Sequence, residues 1–350
     1  MSLIHIDGFD HYATADLAAK GWTSGGVNAS VTLTGGRTGG GGLSFASSSS
    51  ATAVRGVATA EKNSTFIMGF AYKPNTVGNS GGEIAAMFGD NAATQHITLS
   101  ATLTGALEVR RGTQVASTVL ASSSGGVIPA AAWSYVELLV TLSDTVGVVK
   151  VRVNGALVID ASALDTKNAG TATVFDAVRL GHASSASDAG TVDDFYLCNV
   201  AGTVNNGFLG DCRVRTLLPN GNGANSGLLG SDANSIDNYL LVDEATPDVA
   251  DYVGSGTDNL KDTYLFPDLT ETVGAVRGVQ VNSYAAKTDA GAKSLALVTR
   301  SGAADYDSAD LALGTSAGYL RQLRELDPAT AAAWTIAGVN AAEFGVKVRP

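Results

Sequence analysis

The sequence is poor in cysteine and in basic residues, and each shortage argues against a class of protein. Only two cysteines, Cys198 and Cys212, occur in 350 residues, whereas small secreted scaffolds held by disulfides carry more. Lysine and arginine number 22 against 33 acidic residues, a formal net charge of −11. Because nucleic acids and anionic membranes are bound by clustered basic side chains, we expect neither as a partner.

Long apolar runs and a signal-peptide pattern are also missing. No run of about 18 apolar residues occurs, so we expect no transmembrane helix. Residues 1–7 show no basic region followed by an apolar stretch, so we expect no standard signal peptide. With the scarce cysteines, these features predict a chain that folds in a reducing cytoplasm.

The composition is typical of short strands joined by turns of small residues. Glycine is abundant at 42 residues, proline is scarce at 7, and apolar residues make up 45% of the chain. At roughly 100–200 residues per domain, this length predicts about two domains, each with a core of its own.

The clearest local pattern is a β-hairpin. In residues 147–153, valines alternate with Lys150 and Arg152, which gives one dry and one wet face at the two-residue period of a strand. Asn154 and Gly155 follow, and this pair suits the two positive φ angles of a type I′ turn.

Similar strand patterns recur through the chain at short intervals, and no long helical pattern interrupts them. This pattern predicts an all-β protein made of two tandem β-sandwich (jelly-roll) domains, the first concanavalin-A-like. The expected domains are 1–217 and 238–350, joined by a Gly/Asn/Ser-rich linker at 218–237. The strands predicted are 3–7, 29–33, 43–45, 65–72, 96–101, 107–111, 133–142, 147–153, 174–180, 193–200, 212–217, 279–282, 294–299 and 344–348. Leu320, Leu323 and Leu326 leave strand and short helix equally open.

No constellation of catalytic residues stands out. The histidines form no metal-spaced or nucleophile-spaced group. Sandwich-fold glycosidases need two acids about 5–10 Å apart, and in each of the pairs formed by Asp305, Asp307 and Asp310 one acid lies near a predicted turn. Asp193 and Asp194 are adjacent on a strand, so their side chains point to opposite faces. We therefore expect no catalytic residues and no enzyme.

Two softer hypotheses concern ligands. Asp188, Asp193 and Asp194 cluster where a loop meets a strand and suit calcium, the alternative being solvated turn acids. No other cofactor is expected. Three tryptophans, at 22, 133 and 334, are either core anchors or a platform for a sugar ring.

Several segments also resemble known families. Residues 133–160, with 39–45 and 66–70, resemble the laminin-G-like, concanavalin-A-like jelly rolls. Residues 192–198 and 205–214 resemble a signature of virion structural proteins of tailed bacteriophages and prophages. Further segments similar to the same proteins are 279–285, 327–335 and 339–346.

The resemblance implies a virion protein of the tail-fibre, minor-tail or head-decoration type, made and assembled in the host cytoplasm. Its implied partners are other virion proteins, further copies of itself (a trimer is the expectation) and a host-surface glycan. The chain has no coiled-coil stalk, which favours a compact spike, tail-tip or head-surface component. The alternatives are a lectin-like carbohydrate-binding module and, third, a glycan-cleaving enzyme.

Overall fold

The computed structural model describes residues 1–24, 28–47, 50–75, 82–183, 189–271 and 274–350. The chain divides into two compact units, Met1–Arg215 and Thr216–Pro350. Both are built from strands, and the one α-helix in these ranges is α1, Ile336–Asn340. None of the helices in the part of the chain described here has the length and apolar character needed to cross a membrane.

The first unit is a β-sandwich of two antiparallel sheets. Its strands are β1 Leu3–Asp7, β2 Trp22–Ser24, β3 Ala29–Thr32, β4 Gly42–Phe45, β5 Ala51–Gly56, β6 Thr65–Pro74, β7 Gly82–Gly89, β8 Thr94–Ala101, β9 Leu107–Gly112, β10 Ser117–Ser122, β11 Ser134–Thr141, β12 Gly147–Val153, β13 Ala156–Leu164, β14 Ala177–His182 and β15 Gly190–Cys198. Two short 3₁₀ helices occupy Thr14–Asp16 and Thr59–Glu61.

The two sheets of this unit enclose an aromatic core. An eight-stranded sheet has the order β13-β12-β11-β6-β15-β4-β3, with β1 also beside β15. A seven-stranded sheet has the order β10-β9-β8-β7-β14-β5-β2. Trp22, Phe66, Phe70, Phe175 and Phe195 are fully buried. The all-β sandwich predicted from the strand spacing is confirmed.

The predicted hairpin is confirmed in detail. Strands β12 and β13 pair antiparallel from Val153↔Ala156 outward. Between them, Asn154 and Gly155 have φ angles of 50° and 80°, as a type I′ turn requires. The alternating valines of β12 are buried, so the dry face of the sequence pattern is the core face of the sheet.

The second unit is smaller and its sheets are less regular. Its strands are β16 Gly221–Ser226, β17 Leu229–Gly230, β18 Val253–Gly254, β19 Lys261–Leu265, β20 Val279–Ala285, β21 Ser294–Ser301, β22 Ala304–Asp307, β23 Leu311–Ala312, β24 Gly318–Arg324 and β25 Glu343–Arg349. A six-stranded sheet has the order β16-β19-β25-β21-β22, with β23 beside β21, while β17-β18 and β20-β24 form two-stranded ribbons. Part of its core is a cluster of Trp334, Val339, Ala342 and Phe344.

The segment expected to be a linker belongs to the sheet of the second unit. Strand β16 lies inside 218–237 and pairs with β19. The buried carboxylate of Asp262 accepts the backbone N–H groups of Gly227 and Leu228 at 2.7 and 2.8 Å. It also accepts the amide of Asn238 at 2.6 Å. A fully buried acid thus holds a stretch whose turn-rich composition suggested a free connection.

Two further strand predictions are resolved by the hydrogen bonds. Residues 212–217 form no strand, because the backbone N–H of Val214 donates to the side chain of Asp194 and not to a neighbouring strand. Of the leucines that left strand and helix open, Leu320 and Leu323 lie in strand β24, which pairs along its whole length with β20. Leu326 lies beyond that strand, in an isolated bridge with Ala333.

Candidate functional site

A polar face covers the outer side of the seven-stranded sheet in the first unit. In β8 and β9, the core side carries fully buried Ile97, Leu99 and Val109. The opposite side carries Thr98 and Ser100, which pair directly with Arg110 and Glu108 of β9. We name as the polar face a set of residues on this side, together with Gln114, which is hydrogen-bonded to Ser100: Glu83, Phe88, Gln95, Thr98, Ser100, Glu108, Arg110, Gln114 and Arg179.

The inner part of the polar face is a buried network around an ion pair. The guanidinium of Arg179 donates to Oε1 of Glu83, and it also donates to Oε1 of Gln95 at 2.9 Å. The amide of Gln95 donates to the same carboxylate oxygen of Glu83 at 3.0 Å. The guanidinium lies 5.0 Å from the ring centroid of Phe88, a cation–π contact. All four side chains are at most 7% exposed, so the pair is fixed by its partners.

Thr98 links this network to the neighbouring strand. Its hydroxyl accepts a hydrogen bond from Nε2 of Gln95 and donates one to the carbonyl of Gly112, both at 2.5 Å. Since Thr98 is fully buried, these bonds fix the orientation of the Gln95 amide, which in turn orients the ion pair.

The outer part of the polar face forms a small depression with accessible polar groups. A cavity of about 190 Å³ is lined by Ser100, Ala101, Thr102, Leu103, Glu108, Arg110 and Gln114. Arg110 donates from Nε and Nη2 to Glu108 at 2.9 and 2.5 Å, and from Nη1 to Ser117 at 3.1 Å. Ser100 donates to Oε1 of Gln114 at 2.5 Å. A carboxylate, a guanidinium and an amide therefore line one cavity, and their hydrogen bonds fix their orientation.

Asp193 and Asp194, which the sequence assigned to calcium, anchor loops of the first unit. Asp193 accepts the backbone N–H of Arg37 at 2.7 Å and that of Asp194 at 2.6 Å. Asp194 accepts the N–H of Val214 at 2.8 Å and lies 3.6 Å from the guanidinium of Arg37. Burial, and next the charge of Asp194, raise the pKa of Asp193 to about 7; burial also raises the pKa of Asp194.

Two further acids, Asp211 and Asp10, hold the glycine-rich tract that precedes β4. Arg37 forms a two-pronged ion pair with Asp211 at 2.5 and 2.6 Å, and Asp10 accepts the N–H of Gly41 at 2.5 Å. A Cβ at Gly41 would lie 2.0 Å from the carbonyl oxygen of Phe9. The backbone therefore approaches its neighbours closely at a glycine, which is a structural use for the tract.

The calcium hypothesis stays a prediction. Asp188 lies outside the described residues, and within them no three histidine, cysteine or acidic side chains come together as a metal-binding group. A guanidinium and backbone N–H groups surround Asp193 and Asp194, as described above.

The acid pairs of the second unit are joined to basic side chains. Asp305 pairs with Lys261 and Arg300, the latter at 2.8 Å. Asp307 pairs with Lys347 at 3.0 Å and with Arg349 at 2.6 Å. These acids form two ion-pair networks on the six-stranded sheet.

Two of the three tryptophans lie in the cores of the two units. Trp22 is fully buried and donates to Asp7 at 2.8 Å, and Trp334 is buried in the second unit. Both are core anchors. Trp133 is half-buried, with the ammonium of Lys73 5.1 Å from its ring centroid.

Comparisons with known proteins find distant structural similarity. No protein-family model and no curated protein matches the chain. A Trypanosoma rangeli sialidase complex matches with a TM-score of 0.33 and 15% identity over 49% of this chain and 27% of the sialidase. A botulinum neurotoxin type C, described as entering cells through two ganglioside molecules, matches with a TM-score of 0.34 and 12% identity over 48% of this chain and 41% of that one.

A third solved structure matches over nearly its whole length. The carbohydrate-binding module CBM66 of Bacillus subtilis has a TM-score of 0.33 and 15% identity over 50% of this chain and 93% of the module. The chain thus spans less than half of the sialidase and of the toxin. At these scores the similarity assigns neither a function nor a site.

The sequence pattern gave only a partial signal for the polar face. The strand predicted at 107–111 alternates apolar residues with Glu108 and Arg110. Glu83 and Arg179 meet across 96 positions of sequence, and only the strand order brings them together. The local periodicity of the sequence does not encode the order of strands in the sheet.

Proposed function

We propose that the chain is a non-catalytic, lectin-like β-sandwich protein that binds a saccharide at the polar face of its first unit. The observation that supports this proposal most is the depression between Ser100, Glu108, Arg110 and Gln114. Saccharides present many hydroxyl groups, each able to donate and accept. Planar carboxylate, amide and guanidinium groups can bond two such hydroxyls at once.

The buried layer beneath the depression supports the same function. A binding site loses affinity when its side chains must be ordered on binding. Here Thr98, Gln95 and Arg179 are already fixed by buried hydrogen bonds. Strand β8, which carries Thr98, also carries Ser100 and pairs with β9, the strand of Glu108 and Arg110. The side chains of the depression are therefore supported by a rigid layer.

Cleavage of the glycan is the competing function, because two acids share this face. Glu83 pairs with Ser100, and Ser100 pairs with Glu108 on the next strand. Two strand spacings put the Glu83 and Glu108 backbones roughly 10 Å apart, and inverting glycosidases hold their two carboxyl groups about 6.5–9.5 Å apart. We favour binding because Glu83 is buried under its bonds to Arg179 and Gln95, out of reach of a substrate.

The virion setting implied by the sequence resemblance remains a prediction. The segment 205–214, part of that resemblance, packs within the first unit: the N–H groups of Leu209 and Gly210 donate to Tyr196 and Glu137 at 3.2 and 2.9 Å. This gives the segment a structural role whether or not the protein is part of a particle. Electron microscopy of particles labelled with an antibody against this chain would test the setting.

A glycan array probed with the full chain tests the proposed function. We expect binding to a small set of related saccharides, and we expect the Arg110→Ala variant to lose that binding. Incubation of the bound saccharide with the protein, followed by chromatography, separates binding from cleavage. Turnover that disappears in Glu83→Gln and Glu108→Gln variants would replace the binding proposal with the enzyme.

A further inference from the structure

Asparagine is followed directly by glycine at four places in the sequence. The pairs are residues 154–155, 206–207, 220–221 and 222–223. At such a pair the backbone nitrogen of the glycine can attack the side-chain amide carbon of the asparagine, because glycine has no side chain to hinder the approach. The four pairs share this local chemistry, and they differ in how the folded chain restrains them.

In two of the pairs a hydrogen bond holds the side-chain amide. Oδ1 of Asn154 accepts the backbone N–H of Tyr135 at 2.8 Å, and the N–H of Asn154 donates back to the carbonyl of Tyr135 at 2.8 Å. Oδ1 of Asn222 accepts the N–H of Tyr239 at 3.1 Å. Either amide must break a hydrogen bond before its carbon can turn toward the next residue, which raises the barrier to attack.

In a third pair strand pairing holds the backbone. Gly221 is the first residue of β16 and lies opposite Leu265, and the N–H of Asn220 donates to the carbonyl of Leu265 at 2.9 Å. The attack requires the glycine nitrogen to rotate toward the preceding side chain. A backbone held by its partner strand makes that rotation only after the pairing has opened.

The pair Asn206 and Gly207 has neither restraint. Both residues lie outside the strands and helices, and Asn206 is exposed. Its Nδ2 donates to the carbonyl of Gly202 at 3.3 Å. In the part of the chain that the structure describes, Oδ1 of Asn206 and the N–H of Gly207 take part in no hydrogen bond. The space beside Gly207 is open, since an added Cβ would meet nothing within 4 Å.

We propose that Asn206 is a site of spontaneous deamidation. The Gly207 nitrogen forms a bond to Cγ of Asn206 and gives up its proton, and the side-chain nitrogen leaves as ammonia. Water then opens the resulting five-membered imide at one of its two carbonyl carbons, which yields aspartate or isoaspartate. One amide and one water thus become one carboxylate and one ammonium ion, with no oxidation or reduction.

The deamidated chain should remain folded. The N–H of Gly202 donates to the hydroxyl of Ser2 at 2.8 Å, and the N–H of Leu209 donates to the hydroxyl of Tyr196 at 3.2 Å. These bonds anchor the chain on both sides of Asn206, and neither involves the reacting atoms. The product adds a negative charge to an exposed loop of the first unit, so ion exchange should separate the two forms.

Peptide mapping of the full chain after incubation tests the inference. The folded protein is kept at mildly alkaline pH and then digested. Chromatography with mass spectrometry quantifies the asparagine, aspartate and isoaspartate forms of each peptide. We expect Asn206 to convert at least about tenfold faster than Asn154, Asn220 or Asn222, a ratio that corresponds to a difference of about 1.4 kcal/mol in the barrier.

Two controls separate the effect of the fold from that of the local sequence. In the chain unfolded in urea all four pairs lose their restraints, so their rates should become similar. The Gly207→Ala variant places a methyl group beside the attacking nitrogen and should slow conversion at Asn206, while the rates at the other three pairs stay unchanged. This variant should fold, because the added Cβ meets nothing within 4 Å.

Three results would overturn this inference. The first is an equal rate at all four pairs in the folded chain, and the second is faster conversion at Asn154 or Asn222 than at Asn206. The third is a preference for Asn206 that persists in urea, which would assign the difference to neighbouring residues and not to the fold. If Gly207→Ala does not fold, the comparison of the folded and the urea-unfolded wild type decides the question.

Discussion

The hydroxyl of Tyr196 donates a 2.5 Å hydrogen bond to Oε1 of Glu137, and both side chains are about 1% exposed. The same oxygen accepts the N–H of Gly210 at 2.9 Å. One buried carboxylate thus joins β11, β15 and the segment that follows β15. Burial raises the pKa of Tyr196 well above its ordinary value, as does the nearby Glu137 charge.

Replacing Glu137 with alanine should destabilise the first unit strongly. The change leaves a buried hydroxyl and a backbone N–H without their acceptor, at a cost of about 2–4 kcal/mol in the free energy of unfolding. Urea denaturation followed by fluorescence measures it. Asp160→Ala is the matched control, because Asp160 is half-exposed and pairs with Lys150 at the surface, so its loss should change stability little. Equal effects in both variants would contradict the assigned role.

A methyl group at Gly41 should be far more harmful than one at Gly56. The first would lie 2.0 Å from the carbonyl oxygen of Phe9, whereas the second meets nothing within 4 Å. We expect Gly41→Ala to lower the free energy of unfolding by about 2 kcal/mol or more and Gly56→Ala to be nearly neutral. Thermal melts of the two variants check this. A Gly41→Ala protein as stable as the wild type would show that the loop has room.

Asp193 should make the first unit less stable as the pH rises from about 4 to 7. Its pKa is raised from 3.8 to about 7 in the folded chain, so the folded state holds a proton that the unfolded state has released. The stabilisation is complete below the pKa of Asp193 in the unfolded state, and it is lost as the pH rises through its pKa in the folded state. Asp193→Asn should flatten the dependence of the melting temperature on pH across this window. An unchanged slope in Asp193→Asn, matching that of Asp160→Asn, would contradict the prediction.

The boundary at residues 215 and 216 predicts which fragment of the second unit folds on its own. A fragment of residues 216–350 should unfold cooperatively, because it keeps β16 and the bonds from Asp262 to Gly227 and Leu228. A fragment of residues 238–350, cut at the end of the expected linker, lacks that strand and should lose stability or fail to fold. Circular dichroism melts compare the two. Equal melting temperatures would support the linker instead.

The sequence predicted features that depend on neighbours along the chain. Lys150 and Arg152 alternate with valines, and Asn154 can adopt a positive φ, so the hairpin followed from local patterns alone. The polar stretch 221–226 carried no apolar alternation, and its strand exists because a distant acid, Asp262, holds the residues beside it. Contacts of this kind depend on the order of strands in the sheet, which periodicity does not encode.

For the candidate sites too, the sequence showed the residues of a single strand but not their partners on other strands. Glu108 and Arg110 were visible as the polar side of a predicted strand, yet their partners Ser100 and Thr98 lie on another strand. The pairing of Tyr284 with Tyr319 likewise depends on the strand order, because β21, β22 and β23 lie between β20 and β24 in the sequence.

The most direct test of the central claim is calorimetric titration of the full chain with the saccharide that it binds best on the array. We expect a measurable affinity for the wild type and for Lys150→Ala, a control on the eight-stranded sheet. For Arg110→Ala we expect a loss of about tenfold or more, since removing a charged hydrogen-bond donor costs roughly 1.5–3 kcal/mol. Equal affinities in all three proteins, or no saccharide bound at all, would contradict a glycan site on the polar face.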